Sequence, residues 1–171
     1  MRHKMAELIP LDSQKTKQNI LFRHAELSDH PKIRQLITTI LSKEFPSDQA
    51  AYSTEDLELL SKTYAAPTNA FFVAEKDRNV IGTCGVKSDG PETAILRRLF
   101  VDPQYRRQGV GQGLLKGAID FCQKSGFREI MIRTSTHMEQ AIRLCLSFGF
   151  QEDGRWPMGK VTLIRFILKL S

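Results

Sequence analysis

The chain has 171 residues, of which 41% are hydrophobic and 26% charged, and its formal net charge is +6 at pH 7. This length and composition predict one soluble domain with a sizeable core, and no apolar run is long enough to span a membrane. The basic residues are scattered apart from two arginine pairs and a sparse N-terminal tail, which argues against nucleic acid as the partner.

The cysteines and histidines show no metal-ligand spacing. Cys84, Cys122 and Cys145 are odd in number, widely spaced and set among apolar residues. This usage predicts reduced, buried thiols in a cytoplasmic protein. The histidines form no H-x-x-x-H or Cys/His cluster, so we expect no metal site, and a lone histidine is usually a surface or cap residue.

The N-terminal third is predicted to contain a tail, a short strand and two helices. Residues 1–19 are polar, basic and largely aperiodic, which predicts a flexible tail before a single domain at residues 20–171. A strand candidate covers residues 20–23, and Ser28-Asp29 with Pro31 is typical of a helix start. The apolar face of that helix comprises Ile33, Leu36, Ile37, Ile40 and Leu41. A second helix is predicted from Ser53, with Leu57, Leu60 and Tyr64 on its apolar face.

A strand-rich middle region follows. Residues 70–75 and 80–86 are β-rich and joined by a polar turn of hairpin length, and a second polar turn at residues 88–91 leads to a strand at residues 94–101. Asp102-Pro103 ends that strand. An amphipathic helix comes next and ends at Lys124, with Gly126 as its C-cap. The apolar face of this helix comprises Val110, Leu114, Ala118, Ile119 and Cys122.

The junction between this strand and helix predicts an anion-binding site. The helix begins near Gly109 with no Ser, Thr, Asp or Asn to cap it, so its first N–H groups lack a side-chain acceptor. Free N–H groups, the helix dipole and adjacent arginines together favour a phosphate or pyrophosphate. The alternative is a turn softened by glycines with a solvated basic face, although the three glycines at 109, 111 and 113 each disfavour a helix start.

The motif distinguishes between phosphate ligands. A P-loop fails because Lys116 precedes Gly117 and no Ser or Thr follows, and a dinucleotide fingerprint fails at Leu114. Arg106-x-x-Gly109-x-Gly111, placed after a strand that ends in Val-Asp-Pro, resembles the coenzyme A pyrophosphate loop of the GNAT superfamily of acyl-CoA-dependent N-acyltransferases. The resemblance extends, more weakly, over residues 20–170.

The C-terminal part completes the GNAT element order. A strand is predicted at residues 129–134, then a helix that starts with a capping box at residues 136–139, and a last strand at residues 160–168 after a loop at 154–157. Trp156 in that loop either caps the core or walls an acceptor pocket. The order β, α, α, β, β, β, α, β, α, β is that of the GNAT fold. The resemblance implies an α/β class with a mixed, mostly antiparallel sheet flanked by helices.

The resemblance also implies a function and a cofactor-binding set. It implies an N-acetyltransferase that moves an acetyl group from acetyl-CoA to a primary amine by direct attack in a ternary complex, without a metal. The acceptor is a small molecule or a protein amine, its specificity is expected in residues 43–67, and the oligomeric state stays open with a homodimer plausible. The residues expected to bind the donor are Leu99, Phe100, Val101, Arg106, Arg107, Gln108, Gly109, Val110, Gly111 and Gln112.

The catalytic groups are less well specified. Where the family often has a Glu in the central strand this chain has Ile95, so Glu75 and Glu92 are the candidate general bases. Cys145 stands where many members have a Tyr that protonates the leaving thiolate, and Met138 where members often have an Asn. Cys145 is therefore the candidate acid. These departures keep open a CoA-binding module with little catalysis and, further off, a basic protein that binds nucleic acid or another polyanion.

Overall fold

The computed structural model describes residues 19–171, in which seven strands form one sheet in the order β1-β2-β3-β4-β5-β7-β6. Neighbouring strands are antiparallel except β4 and β5, which are parallel, and the predicted mixed, mostly antiparallel sheet is therefore confirmed. The strands are β1 Leu21–His24, β2 Ala70–Lys76, β3 Asn79–Asp89, β4 Thr93–Val101, β5 Glu129–Ser135, β6 Gln151–Met158 and β7 Val161–Lys169.

Helices cover both faces of this sheet. They are α1 His30–Glu44, α2 Glu55–Glu58, α3 Leu60–Thr63, α4 Val110–Lys124 and α5 Glu139–Ser147. One core packs α4 and α5 against the sheet, and a second packs α1, α2 and α3 against the other face. The strand β2 contributes to both: Phe72 lies in the first core, whereas Phe71 and Val73 lie in the second. A strand buried on both faces is expected to have a continuous run of apolar residues, as the first five residues of β2 do.

The second predicted helix is broken into two single turns. The sequence predicts a helix from Ser53, but α2 begins at Glu55, and Leu59 separates it from α3 with φ −118° and ψ 36°. The predicted apolar face is nevertheless buried, because Leu57 and Leu60 contact the second core. The buried face was predictable from spacing, whereas the break was not.

The predicted capping box at residues 136–139 is wrong. Helix α5 begins at Glu139 with Met138 at the N-cap position, and no side chain caps it. The backbone N–H of Met138 instead bonds to the carbonyl of Ser135, which makes a turn directly after β5. This turn places His137 outside the helix.

The predicted loop at residues 154–157 is also wrong, because these residues belong to β6. This strand lies at the edge of the sheet and pairs with β7, with an irregularity between Glu152 and Arg155. Its residues are nearly all exposed, so the strand carries no apolar alternation. Trp156 is half-buried, with the Arg133 guanidinium 5.7 Å from its ring centre.

Helix α4 packs closely on the sheet through glycine. A Cβ at Gly113 would come within 2.2 Å of the Phe22 ring. The third glycine of the loop motif therefore serves close packing of β1 on α4, and only Gly109 and Gly111 remain for an anion site. Phe22 itself is buried in the first core.

The predicted tail lies outside the described residues, apart from Asn19. Among residues 19–171, no helix has the length and apolar character needed to cross a bilayer. Within the same residues no three His, Cys, Asp or Glu side chains are grouped as a metal site would require. All three cysteines are free and buried, as predicted.

Candidate active site

The two central strands part near their carboxyl ends. Strands β4 and β5 pair from Thr93 with Glu129 to Leu96 with Ile132, and the described pairing stops there. Beyond this point β5 continues along β7 as far as Ser135, while β4 continues along β3 as far as Val101. The parting opens a V in the middle of the sheet, with an unpaired edge of β4 on one side.

A bulge in β4 lies where the strands part. Gly85 faces Arg97 and Thr83 faces Phe100, so two residues of β4 oppose Cys84 alone. One of them, Arg98, has a left-handed φ of 57°, a conformation that costs a non-glycine residue about 1–3 kcal/mol. A bulge ends regular pairing and increases the local twist, which turns the end of β4 away from β5.

The side chain of Arg98 ties this bulge to α2. Arg98 is 7% exposed, and its Nε lies 3.0 Å from Oδ2 of Asp56. The Tyr64 hydroxyl donates to the same carboxylate oxygen at 3.1 Å, and the hydroxyl of Thr83 donates to the Arg98 carbonyl at 2.7 Å. Burial alone would raise the pKa of Asp56, but the hydrogen bonds and charge of Arg98 hold it below its ordinary value. These contacts offset the backbone strain of the bulge.

The unpaired edge of β4 exposes a backbone N–H to the V. The N–H of Asp102 donates to the carbonyl of Ile81 on β3 at 2.8 Å. Since neighbouring residues of a strand direct their backbone groups to opposite edges, the N–H and carbonyl of Val101 face the side that β5 has left. The Val101 carbonyl accepts from Nε of Arg106 at 3.1 Å, which agrees with this direction. The Val101 N–H is thus available to an incoming oxygen.

The first turn of α4 faces the same opening. Gly109 stands at the N-cap position with φ 81°, and no side chain caps the helix, as the sequence predicts. A Cβ at this residue would meet no atom within 4 Å, so its surroundings are open. The first N–H groups of α4 therefore present a positive helix end to the cleft, as an anion site requires.

Arg106 reaches across the opening to α1. Its guanidinium makes two hydrogen bonds to the carboxylate of Glu44, the last residue of α1, one of them 2.8 Å from NH2 to Oε2. Arg107 is exposed and has φ 61°. The two arginines thus both line the approach to the α4 N-terminus, Arg106 paired to an acid and Arg107 exposed to solvent.

These elements enclose a cleft of about 750 Å³. Its walls are the end of β4, the start of α4, the end of α1 and the start of α5. The lining residues are Ile40, Glu44, Phe45, Leu99, Phe100, Val101, Tyr105, Arg106, Arg107, Gly109, Val110, Gly111, Gln112, His137, Met138, Glu139, Gln140, Ala141 and Leu144.

One wall of the cleft contains a histidine bonded to a buried acid. Nδ1 of His137 lies 2.8 Å from Oδ1 of Asp48, a residue that is 0% exposed. The other carboxylate oxygen accepts a hydrogen bond from the hydroxyl of Ser135, at the end of β5. The ring of His137 is therefore held through Nδ1.

The Tyr52 hydroxyl lies close to this pair, 3.6 Å from the sulfur of Met138. Burial, followed by the negative charge of Asp48, raises the pKa of the Tyr52 phenol to about 12.

Comparison with known proteins identifies the family. A model of the "Acetyltransferase (GNAT) family" matches residues 34–150. This range includes the parted strands β4 and β5, the α4 N-terminus, all of α5 and most of α1. The chain belongs to the GNAT acetyltransferase family. The resemblance seen in the loop motif is therefore confirmed over most of the domain.

Individual relatives agree with this placement. The chain is 26% identical over 141 residues to the mouse protein "Probable N-acetyltransferase family 8 member 5", a match that covers 80% of this chain and 61% of that one. Matches to two rat N-acetyltransferases cover about half of each relative's length. A GNAT-family acetyltransferase from Staphylococcus aureus Mu50 superposes with a TM-score of 0.78 at 23% identity, over 89% of this chain and 99% of that one. Salmonella typhimurium yncA, solved with its cofactor acetyl-CoA, gives 0.73 at 19% identity, over 89% and 94%.

Within this GNAT domain, the structure brings the predicted donor-binding residues together. All of them line the cleft except Gln108, whose side-chain amide donates to the Gln104 carbonyl at 3.3 Å. Gly111 contributes to packing as well, because a Cβ there would come within 3.1 Å of Leu144.

The predicted catalytic residues do not reach the cleft. Glu75 lies on β2, two strands from β4, and accepts from Nε of Arg23 at 2.7 Å. Glu92 precedes β4 at the end opposite Val101, where it is exposed and 3.4 Å from Arg128. Helix α5 lines the cleft with Ala141 and Leu144, whereas Cys145 is fully buried in the first core. Burial raises the pKa of the Cys145 thiol to about 12.

The sequence analysis missed three charged or titratable groups at the site. Glu44 and Asp48 lie in the segment where acceptor specificity was expected, but nothing in their spacing marks them. His137 was interpreted as part of a helix cap. Asp48 and His137 are separated by 89 positions, so a search for local motifs cannot pair them.

Proposed function

We propose that this chain transfers an acetyl group from acetyl-CoA to a primary amine, by direct attack of the amine on the thioester while both are bound. The observation that carries the proposal is that the uncapped N-terminus of α4 and the unpaired end of β4 open into one cleft. The first feature suits a pyrophosphate and the second suits an extended chain that ends in a carbonyl.

The donor is proposed to bind along these two features. The N–H groups of the first turn of α4 and the guanidinium of Arg107 hold the pyrophosphate, joined by Arg106 when it turns from Glu44. Gly109 leaves the backbone open to such an anion, because no atom lies within 4 Å of where its Cβ would stand. The pantetheine arm lies along the edge of β4 that β5 has left, where backbone groups pair with it as an added strand would.

The thioester carbonyl is proposed to accept a hydrogen bond from the N–H of Val101. A donor fixed by the strand stabilises the negative charge that develops on this oxygen as the amine attacks. Holding donor and amine in one cleft makes the attack effectively unimolecular. The leaving group is the coenzyme A thiolate.

The acceptor is proposed to enter between the end of α1 and the start of α5. Glu44 and Glu139 line this part of the cleft, and carboxylates favour the approach of a cationic amine. The residues that follow α1 would then set the choice of amine, in agreement with the expectation for residues 43–67. The acceptor is a small molecule or an exposed amine of a protein.

Calorimetric titration with acetyl-CoA tests donor binding. The parent chain is expected to bind, whereas Arg106→Glu and Gly111→Val are expected to bind at least about tenfold more weakly. The first loses charged hydrogen bonds of about 1.5–3 kcal/mol each, and the second places a branched side chain against Leu144 and displaces the first turn of α4. Arg128→Glu is the matched control, because Arg128 is exposed at the far end of β4. Equal affinity in all four proteins would remove the pyrophosphate assignment.

Release of free thiol in the presence of amines tests the transfer. We expect coenzyme A to appear with at least one member of a panel of polyamines, amino acids and peptides with free N-termini or lysines. Acetyl-CoA binding without release of thiol for any amine would instead favour a CoA-binding module.

A further inference from the structure

We propose that His137 is the general base of the acetyl transfer, and that Asp48 and Ser135 are the positioning residues that orient it. This inference rests on the proposed function and adds the group that takes the proton from the attacking amine. Such a group is needed because a lysine-like amine has a pKa of about 10 and its nitrogen must lose a proton to form an amide.

The hydrogen bonds of Asp48 determine the orientation of the ring. The buried carboxylate accepts from Ser135 at Oδ2 and from Nδ1 of His137 at Oδ1, so both oxygens have donors. A neutral imidazole that donates from Nδ1 has its lone pair on Nε2. The held edge of the ring faces the protein interior, which directs Nε2 to the opposite, open side.

His137 lies in the wall of the cleft. His137 is among the lining residues and its side chain is 48% exposed, although Nδ1 is bonded to a residue that is fully buried. Nε2 has no hydrogen-bond partner within residues 19–171. The ring is thus fixed on one nitrogen and open on the other, as a base must be to reach a substrate.

The turn after β5 makes this placement possible. Strand β5 ends at Ser135, on the side of the V opposite Val101, and the backbone N–H of His137 bonds to the Ser135 hydroxyl at 3.3 Å. His137 and the Val101 N–H therefore line the same cleft from its two sides. An amine bound in this cleft would lie between the carbonyl held at Val101 and His137.

The charged and titratable groups around the ring come from several elements. From the segment after α1 there are Asp48 and the phenol of Tyr52, and from α5 there is Glu139. The Glu44–Arg106 ion pair and Arg107 line the rest of the cleft. Control measurements must therefore separate His137 from Glu44 and Glu139, the carboxylates that share the cleft.

The amine reaches the protein mostly as an ammonium group and loses a first proton to solvent before it attacks. The neutral amine nitrogen forms a bond to the thioester carbonyl carbon, the C–S bond breaks, and its electron pair leaves with the sulfur as a thiolate. The proton that the nitrogen sheds goes to Nε2 of His137. It then passes to solvent or to the thiolate, which restores the neutral imidazole.

Kinetics of His137→Gln test the base. With an amine that the parent acetylates, we expect kcat to fall by about 100-fold or more, because a positioned general base contributes about 10²–10⁴-fold. The KM for acetyl-CoA is expected to change little. The acidic limb of the parent's kcat/KM profile should disappear, and added imidazole should restore part of the rate. His30→Gln, a change far from the cleft, should keep both the rate and the limb. Glu44→Gln and Glu139→Gln, at the carboxylates proposed to attract the amine, should raise the KM for the amine and still show the limb.

Asp48→Asn tests the positioning role. An amide at this site has one acceptor oxygen, and its NH2 group would face the other of the two donors that the carboxylate now holds. We therefore expect kcat to fall by at least about tenfold and the acidic limb to change. Ser135→Ala should give a smaller change in the same direction. Circular dichroism and acetyl-CoA affinity are measured for each variant, because Asp48 is buried and its loss can destabilise the fold.

Nitrogen-detected NMR of the His137 ring tests the proposal without any acceptor. We expect the neutral ring to be the Nδ1–H tautomer, with the lone pair on Nε2, and the ring shifts to change when acetyl-CoA is added. The Nε2–H tautomer, a ring that does not respond to acetyl-CoA, or a His137→Gln enzyme with parental turnover and pH profile would overturn the inference. In each of these cases acetyl-CoA binding and thiol release by the parent still decide the proposed function separately.

Discussion

Arg106 and Glu44 form a two-pronged ion pair across the mouth of the cleft, with NH2 and Oε2 2.8 Å apart. The pair joins the last residue of α1 to the loop that precedes α4. Nε of the same guanidinium donates to the Val101 carbonyl, so one side chain links the end of β4 with α1. An anion that binds at the α4 N-terminus therefore competes with Glu44 for Arg106.

This competition predicts that Glu44→Gln binds acetyl-CoA more tightly than the parent. Removing the carboxylate frees Arg106 and removes a negative charge near the proposed pyrophosphate site. An exposed or partly exposed ion pair is worth up to about 1 kcal/mol, which corresponds to a gain in affinity of up to about fivefold. Titration calorimetry at low and high salt measures it, and the gain should shrink as salt rises. Glu58→Gln on α2 serves as the control, and weaker binding by Glu44→Gln would contradict the prediction.

Gly109→Val is expected to weaken acetyl-CoA binding beyond its effect on stability. The residue has φ 81°, and a left-handed conformation costs a side chain about 1–2 kcal/mol, more for a β-branched one. The new side chain would also occupy the open space at the first turn of α4, where the anion is proposed to lie.

Gly126→Val provides a matched control at the other end of the same helix. Gly126 has φ 85°, and a Cβ there would likewise meet no atom within 4 Å, but the residue lies outside the cleft. Both variants should lower the free energy of unfolding by similar amounts, whereas Gly109→Val should lose acetyl-CoA affinity and Gly126→Val should keep it. Thermal unfolding with and without acetyl-CoA measures both quantities, and parallel loss of affinity would count against a site at the α4 N-terminus.

Asp56→Asn is expected to destabilise the protein by about 3–5 kcal/mol, the usual cost of leaving one partner of a buried ion pair without the other. The buried Arg98 guanidinium would be left without its negatively charged partner, and the bulge at the end of β4 would lose the ion pair that offsets its backbone strain. Urea unfolding at pH 7 measures the change. Asp120→Asn, an exposed acid on α4, should change the stability little.

The lowered pKa of Asp56 predicts that its contribution to the free energy of unfolding depends on pH. Because the pKa of Asp56 is lower in the folded than in the unfolded state, its contribution is complete above the unfolded value of about 3.9 and is lost as the pH falls through the folded value. The difference in unfolding free energy between parent and Asp56→Asn should therefore be constant above about pH 5 and shrink below about pH 4. A difference that grows on acidification would mean that Arg98 does not stabilise the carboxylate.

Cys145→Ala is expected to leave the pH profile of turnover between pH 6 and 9 unchanged. The thiol is buried in the first core and its raised pKa keeps it protonated over this range, so the substitution removes packing rather than a proton donor. We expect a modest loss of stability and parental kinetics in the folded enzyme. A change in the basic limb of the profile would restore Cys145 as the candidate acid.

The sequence was sufficient where structure depends on local pattern. The apolar stripe of α4, its end near Lys124 and its start at an uncapped Gly109 all follow from spacing and from the properties of glycine, and the structure agrees. The end of β4 near Asp102-Pro103 was predictable for the same reason. These local features were enough to predict the fold class and a family that the comparisons confirm.

Features without a local pattern were missed or misplaced. Strand β6 is an exposed edge strand, so its residues show no alternation that a sequence could reveal. In α5, helical spacing groups Ala141, Leu144 and Cys145 on one side, but spacing cannot tell which part of that side meets the sheet and which part meets the cleft. The structure assigns Cys145 to the sheet and the other two to the cleft. Cytoplasmic location and oligomeric state stay predictions.

Tertiary structure alone decided which charged groups meet in the cleft. Arg106 and Glu44 are 62 positions apart, and His137 and Asp48 are 89 positions apart. No local rule pairs them, because each contact forms only when α1 and the segment after it fold over the V between β4 and β5. The motif proposed to bind the donor is continuous in sequence and was predictable, whereas the groups proposed to receive the amine and its proton come together only in the folded chain.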